Sequence, residues 1–383
     1  MYYITVKQSP KYHQMSLEDF LFGPDVAPHA ESQSTTDTRT YCVEEISQRF
    51  LSMVNVRPII YKLRDFNRKY QYLREKDRHS LYRFFSIPKK KGGLRQISAP
   101  NEELSAALRE LKAILEVDCH ALYHTAAFAY VKGRCTVDAV KRHQKNESKW
   151  FGKYDLSNFF GSTTPEFVME MLSVVFPFCE IMKSESGEQE LKTALSLAFL
   201  DGGLPQGTPL SPTLTNIMMI PIDYKLYNTL RSYKKQAFVY TRYADDFHIS
   251  SKYTFRYREI EALVQQTLAE FRAPFRINES KTMYGSSSGH NFLLGVILNK
   301  DNNITVGSVG KKHFLRMMER FVMDYKQGIH WELNDVQTLE GLRSYYRMVE
   351  ENTIDEMVKY VNRKFSDAFY QIDIVKLIKQ SLR

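Results

Sequence analysis

The chain has 383 residues, 43% of them hydrophobic and 13% aromatic, with 53 Lys and Arg against 44 Asp and Glu for a formal net charge of +9. That composition excludes a disordered or collagen-like chain, and its length suits two or three packed units. No run approaches the roughly 20 apolar residues of a membrane span, and the four single cysteines, Cys42, Cys119, Cys135 and Cys179, argue against a disulfide framework or a zinc site.

In chain order, residues 1–59 read as an N-terminal extension. It holds a polar, Pro-punctuated linker from Gly23 to Thr40 and an amphipathic helix from Val43 to Val54. The N-terminus lacks a signal-peptide pattern, so a reducing cytoplasm is the expected location. From Lys62 to Arg95, twelve basic residues face only Asp65, Glu75 and Asp77, so this stretch carries +9, the charge of the whole chain. Phe66, Tyr70, Tyr72, Tyr82, Phe84 and Phe85 are interleaved with the charge. The pattern suits phosphate contacts beside base stacking; a solvated helix face with its own core aromatics is the plainer alternative.

Two strands follow, from Phe84 to Ile87 and from Leu94 to Ile97, around a basic turn. A helix from Glu102 to Asp118 carries the stripe Leu104, Leu108, Leu111, Ile114 and Leu115. A strand from Trp150 to Leu156 precedes a helix opened by Thr164 and Pro165 and running through Val175. A Gly- and Pro-rich loop from Asp201 to Pro209 leads, through the start signal Ser211-Pro212, into a helix from Thr213 to about Leu230. Strands from Phe238 to Tyr243 and from Phe247 to Ser251 flank Ala244-Asp245-Asp246, and a helix from Glu259 to Phe271 comes next. The strand from Phe292 to Leu298 is expected to form a hairpin with Ile304 to Val306. Three helices close the chain, from Lys311 to Gln327, Asn334 to Glu350 and Ile354 to Leu382.

Asp155 ends one strand, and Asp245 and Asp246 occupy a tight turn. If those elements neighbour each other, three carboxylates meet at one end of a sheet, a costly arrangement unless a cation neutralises it. Hard oxygens without nearby His or Cys favour Mg²⁺ over zinc. Two such ions roughly 3.5–4 Å apart can activate a 3′-hydroxyl and stabilise a departing pyrophosphate. An isolated Asp-Asp is also ordinary turn chemistry, so the flanking residues decide. His248, between Phe247 and Ile249, and His290, in a serine-rich loop, read as structural.

Tyr243-Ala244-Asp245-Asp246, preceded by Tyr240-Thr241-Arg242, resembles the YADD signature of reverse transcriptases. Five further blocks are similar to that family's and stand in its order. They are Arg95 to Pro100, Lys153 to Phe160, Gly203 to Pro212 continuing to Asn216, Asn278 to Thr282, and Phe292 to Gly295. The resemblance implies an α+β right-hand polymerase: fingers at 60–150, an antiparallel palm sheet packed on helices at 151–310, and a helical thumb at 311–383. It implies that Asp155, Asp245 and Asp246 are catalytic and, with the Leu156 carbonyl, hold two Mg²⁺ ions, for which Mn²⁺ can substitute. It places Lys89, Arg95, Phe160, Gln206, Gly207 and Lys281 at the deoxynucleotide, with Phe160 as a steric gate against the 2′-hydroxyl. Leu294 and Gly295 fall in the primer grip.

The implied activity is RNA-directed DNA synthesis on a structured non-coding RNA, from a DNA or RNA primer, in anti-phage defence. The expected partners are that RNA, the primer and dNTPs, with no membrane and with a homo-oligomer or effector protein as a further option. Neither the Asn-Ala-x-x-His block nor the Val-Thr-Gly block of retron enzymes is found; Leu293-Leu294-Gly295 occupies the latter's position. The pattern is therefore most similar to stand-alone, abortive-infection or defence-associated enzymes. A retron enzyme making RNA-linked single-stranded DNA is one alternative, and a polymerase-shaped RNA-binding splicing cofactor is another. An RNA-directed RNA polymerase is disfavoured by Phe160 and Ala244.

Overall fold

The structure is a computed structural model that describes residues 56–88, 92–116, 123–287, 292–367 and 370–382. The expected linker and first helix, Lys89 to Lys91, Cys42, Cys119 and His290 lie outside the described residues. Cys135 and Cys179 are free thiols. Among the described residues, no helix is long and apolar enough to cross a membrane.

The helix α1 (Arg57–Lys69) carries Pro58 in its first turn, where a missing N–H is tolerated, and buries Leu63 and Phe66. After a short α2 (Gln71–Glu75), β1 (Tyr82–Pro88) and β2 (Leu94–Pro100) pair antiparallel from Tyr82–Pro100 to Pro88–Leu94. The helix α3 (Glu102–Glu116) buries all five residues of its expected stripe. Next comes α4 (Thr136–Lys145), which the apolar pattern did not announce; Asp138 accepts from the Cys135 N–H at its start (3.1 Å).

The strand β3 (Trp150–Asp155) precedes α5 (Pro165–Leu172), whose Thr164 cap accepts from Phe167 N as expected. Short α6 (Phe178–Ile181) and α7 (Glu185–Leu195) follow. The single helix expected to about Leu230 is two, α8 (Ser211–Met218) and α9 (Ile220–Ser232). Pro221 has no N–H to continue the first into the second. Ser211 does not cap α8 either; its buried hydroxyl donates to the Pro205 carbonyl (2.9 Å).

The strands β4 (Val239–Tyr243) and β5 (Asp246–Ser251), the helix α10 (Tyr257–Glu270) and β6 (Met283–Ser286) complete the central sheet. It is wholly antiparallel in the order β4-β5-β3-β6.

Beyond it, the strand expected from Phe292 to Leu298 turns back on itself as β7 (Phe292–Leu293) and β8 (Val296–Leu298). Leu294 and Gly295 take φ of +54° and +87° between them, a left-handed pair that reverses a strand in two residues. With β9 (Ile304–Thr305) they form a second small sheet. Four closing helices replace the three expected: α11 (Gly307–Lys326), α12 (Leu333–Val349), α13 (Glu351–Phe365) and α14 (Ile374–Ser381). The last break falls where the Asp373 carboxylate caps a new helix by accepting from Lys376 N (3.2 Å).

One continuous apolar core runs from Leu63 through α3 and the central sheet to Phe275. The four last helices enclose a separate core around Phe314, Val336, Ile354 and Ile378. The architecture is α+β.

Candidate active site

The register of β3 on β5 sets Asp155 directly opposite Asp246. The link from β4 to β5 is two residues, Ala244 and Asp245, with Ala244 held at φ +56°, a conformation alanine rarely adopts. Leu156, itself buried, donates its N–H to the Asp245 carbonyl (3.1 Å), and Asn278 N donates to the Asp155 carbonyl (2.7 Å). Backbone bonds from three segments thus fix all three aspartates at one end of the sheet.

Two lysines face the carboxylates. Lys281 Nζ donates to both oxygens of Asp155 (2.9 and 3.1 Å), and Lys153 Nζ to Asp246 Oδ2 (2.8 Å). Asp246 Oδ1 is buried without a hydrogen-bond partner. Burial, and then the neighbouring Asp246 carboxylate, push the Asp245 carboxyl up to about 6. With Asp155 and Asp246 each turned onto a lysine, no three His, Cys, Asp or Glu side chains among the described residues come close enough to grip an ion as they stand. The chemistry of the donor set nonetheless suits a divalent cation: the ligands are hard oxygens, and one buried carboxylate oxygen is unsatisfied.

Contacts between neighbouring segments hold the nucleotide-side candidates. Phe160 is half-buried, edge-on to Phe159 at 5.6 Å, and its carbonyl accepts from Leu204 N (3.0 Å). Gly203 lies so close to the Gly161 carbonyl that any Cβ would overlap it. On the other side, Ser98 N of β2 donates to the Gln206 carbonyl (2.8 Å). Gly207 has φ +116°, and a Cβ there would stand 2.8 Å from Ile97 Cγ2. The Pro205-Gln206-Gly207 loop is therefore fixed between the β1–β2 ribbon and the Phe160 turn. Arg95 is exposed on that ribbon. At Leu294-Gly295, Tyr345 Oη of α12 reaches the Leu294 carbonyl (3.4 Å).

The structure reassigns much of the basic stretch. Arg64 pairs with Glu190 (3.2 Å), Lys69 with Glu110 (2.7 Å) and Lys76 with Glu103 (2.6 Å), while Arg74 donates to the carbonyls of Asn67 (3.0 Å) and Thr193 (3.2 Å). Phe66, Tyr70 and Tyr82 are core; Tyr72, Phe84 and Phe85 stay exposed. His248 is buried and pushed down to about 3 by desolvation and then by Lys153, in keeping with a structural role.

Sequence reasoning missed what lies behind the turn. Arg242 is fully buried, and its guanidinium forks onto Asp223 (Nε–Oδ1 2.8 Å, Nη2–Oδ2 2.7 Å). The same group donates to the Ala244 carbonyl (3.1 Å) and to Asn216 Oδ1 (3.3 Å), and Tyr240 Oη donates to Asp223 (2.7 Å). Asp223 sits among apolar residues of α9, and that misfit was the available signal.

Residues 87–298 match the family model described as reverse transcriptase (RNA-dependent DNA polymerase). The chain belongs to the reverse transcriptase family. It is 28% identical to the Retron Ec83 reverse transcriptase of Escherichia coli over 73% of this chain and 86% of that one. With the Retron Ec73 reverse transcriptase, also of Escherichia coli, it is 30% identical over 58% and 70% respectively. Among solved structures, the apo telomerase from Candida Tropicalis superposes with a TM-score of 0.46 at 13% identity, over 80% of this chain and 62% of that one. That likeness is too slight to add to the assignment. This reverse transcriptase is thus an RNA-directed DNA polymerase of bacterial, retron-like type. Reverse transcriptases in general use divalent metal ions.

Proposed function

We propose that this reverse transcriptase copies a bound, structured non-coding RNA into complementary DNA by two-metal nucleotidyl transfer, in anti-phage defence. The observation that carries the chemistry is the placement of Asp155 opposite Asp246 with Asp245 on the intervening turn. In this reading residues 60–150 are fingers, 151–310 palm and 311–383 thumb, and residues 1–59 are an extension. Asp155, Asp245 and Asp246, with the Leu156 carbonyl, would hold Mg²⁺ or Mn²⁺. The ions, when bound, would lower the pKa of the primer 3′-hydroxyl and offset charge on the leaving pyrophosphate.

The protein's own residues supply positioning and exclusion. Arg95, with Lys89, would clasp the triphosphate as charged donors. Gln206 offers a side-chain amide, and Gly207 an unobstructed backbone, beside the nucleotide. The Phe160 ring would stand where a 2′-hydroxyl needs room. Lys281, now on Asp155, would turn its ammonium toward the departing phosphates. Leu294 and Gly295 would seat the primer end, and the cell compartment in this reading is the cytoplasm. The retron relatives favour a second reading of the product, DNA that remains joined to its RNA.

The test is extension of a DNA primer on an RNA template by purified protein, in Mg²⁺ and in Mn²⁺, with deoxy- or ribonucleotides. Deoxynucleotide incorporation that disappears in Asp245→Asn is expected. Extension that survives Asp245→Asn would overturn the site, and ribonucleotide use by the wild type would overturn the role of Phe160. RNA co-purifying from cells, sequenced with and without nuclease, reports the template and any covalent RNA–DNA junction.

A further inference from the structure

Between the blocks quoted from the sequence, the segment from Ala126 to Val131 runs beside β4. Ala127 bridges Arg242 in parallel, Arg242 N donates to Ala126 O (2.6 Å), and Phe128 N donates to Arg242 O (2.9 Å). Asn216, which donates to the Ala129 carbonyl, also accepts from the Arg242 guanidinium that holds the Ala244 carbonyl, so Tyr130 lies next to the turn that carries Asp245.

Tyr130 itself has φ +60°, a left-handed conformation in which a bulky side chain is an outlier. The strain is held from behind. Asn216 Nδ2 donates to the Ala129 carbonyl (2.7 Å), and Arg134 Nη1 donates to the carbonyls of Ala127 (2.6 Å) and His124 (2.7 Å). Ala129 and Val131 are buried on either side, whereas the Tyr130 side chain projects and is 51% exposed. Partial burial, then the carboxylate of Asp245 and the phenol of Tyr243, make its hydroxyl harder to ionise, and Arg95 opposes them.

A residue kept for packing would be buried. One kept for a left-handed turn would be Gly or Asn, which adopt it at little cost. A strained, exposed tyrosine whose preceding backbone is held by three side-chain hydrogen bonds fits neither description, and strain of this kind concentrates at functional sites. We propose that Tyr130 contacts the incoming deoxynucleoside triphosphate, its ring standing beside the turn of Asp245 and its hydroxyl donating to the ligand. The proposal rests on the nucleotide site inferred above.

Two substitutions test it in single-nucleotide extension by the full chain on an RNA template with a DNA primer. Tyr130→Gly accepts φ +60° without strain, and that relief offsets part of the added freedom of the unfolded chain and the lost ring contacts, so the variant should fold with a Tm within a few degrees of wild type. The KM for the deoxynucleotide should rise about tenfold, with primer–template affinity unchanged. Tyr130→Phe, which removes only the hydroxyl, should raise KM about threefold. A KM within twofold of wild type in Tyr130→Gly overturns the proposal, and so does a loss of primer–template affinity at unchanged KM. Asp245→Asn run alongside separates the two readings, because persistence of extension there faults the site rather than Tyr130. Should the wild type not extend, the shift in melting temperature produced by dATP replaces KM: its loss in Tyr130→Gly supports the contact, and its retention overturns it.

Discussion

At the scale of single residues, the turn that carries Asp245 is only as well placed as the guanidinium beneath it. Arg242 and Asp223 form an ion pair with side-chain exposure of about 1% on each partner, so neither charge has water to fall back on. Substituting Arg242 by Met strands the carboxylate and should cost about 3–5 kcal/mol, read as a lower urea midpoint. Replacing Asp223 by Leu in the same chain should recover much of that loss, because the stranded charge is then gone. Arg242→Lys keeps the charge but loses the fork, and with it the Ala244 contact. It should fold yet extend primers slowly, and full activity in that variant would show that the turn holds its own shape. The pair was illegible in sequence because its members lie 19 residues apart, on a strand and a helix whose contact no local pattern encodes. Asp155, Asp245 and Asp246 were legible because each is tied to a short block of fixed spacing.

Among the elements, prediction succeeded where periodicity or capping chemistry acts locally. The apolar stripe of α3 and the Thr164 cap of α5 came out as read. It failed where a break depends on backbone conformation. Phe292 to Leu298 looks like one strand until Leu294 and Gly295 both adopt positive φ. The tail from Ile354 looks like one helix until Asp373 caps a second. The basic run looked free because its acidic partners, Glu103, Glu110 and Glu190, are distant in sequence. The reversed hairpin also yields a prediction. A Cβ on Gly295 would stand 3.1 Å from Tyr345 Oη, at φ +87°, so Gly295→Ala combines strain with a displaced tyrosine. It should destabilise by about 1–3 kcal/mol, seen as a drop of a few degrees in Tm. It should also weaken primer binding more than nucleotide binding; an unchanged primer Kd would detach this turn from the primer.

The whole molecule carries an acid sensitivity built into its interior. His143 joins α4 to the sheet through Ser250 Oγ (2.6 Å) and Thr241 Oγ1 (2.8 Å), and burial pushes it down to about 3. His248 behaves alike, and burial pushes His124 down to about 4. These folded-state values lie below the ordinary 6.5, so the unfolded chain binds protons that the folded chain refuses. The stabilisation is complete above about pH 6.5 and is lost as pH falls toward 3 to 4, at up to about 1.4 kcal/mol per pH unit for each histidine. Urea midpoints measured from pH 7 to 4 should fall steeply, and His143→Gln should flatten the slope. A slope indifferent to that substitution would place the sensitivity elsewhere.

The division of the apolar interior into two bodies has a mechanical consequence. The core of the last four helices shares no residue with the large one. Among the described residues, a small third cluster brings Val296 and Leu298 against Phe151 beside Tyr345 and Val349 of α12. The Glu350 carboxylate accepts from Thr305 Oγ1, Val306 N and Lys311 Nζ, each at 2.8 Å. An enzyme that lengthens a strand has to let a growing duplex slip past by one step and then regain its hold. A body with one interlocked interior would have to repack at every step, whereas two interiors that share no residue can shift against each other with less repacking.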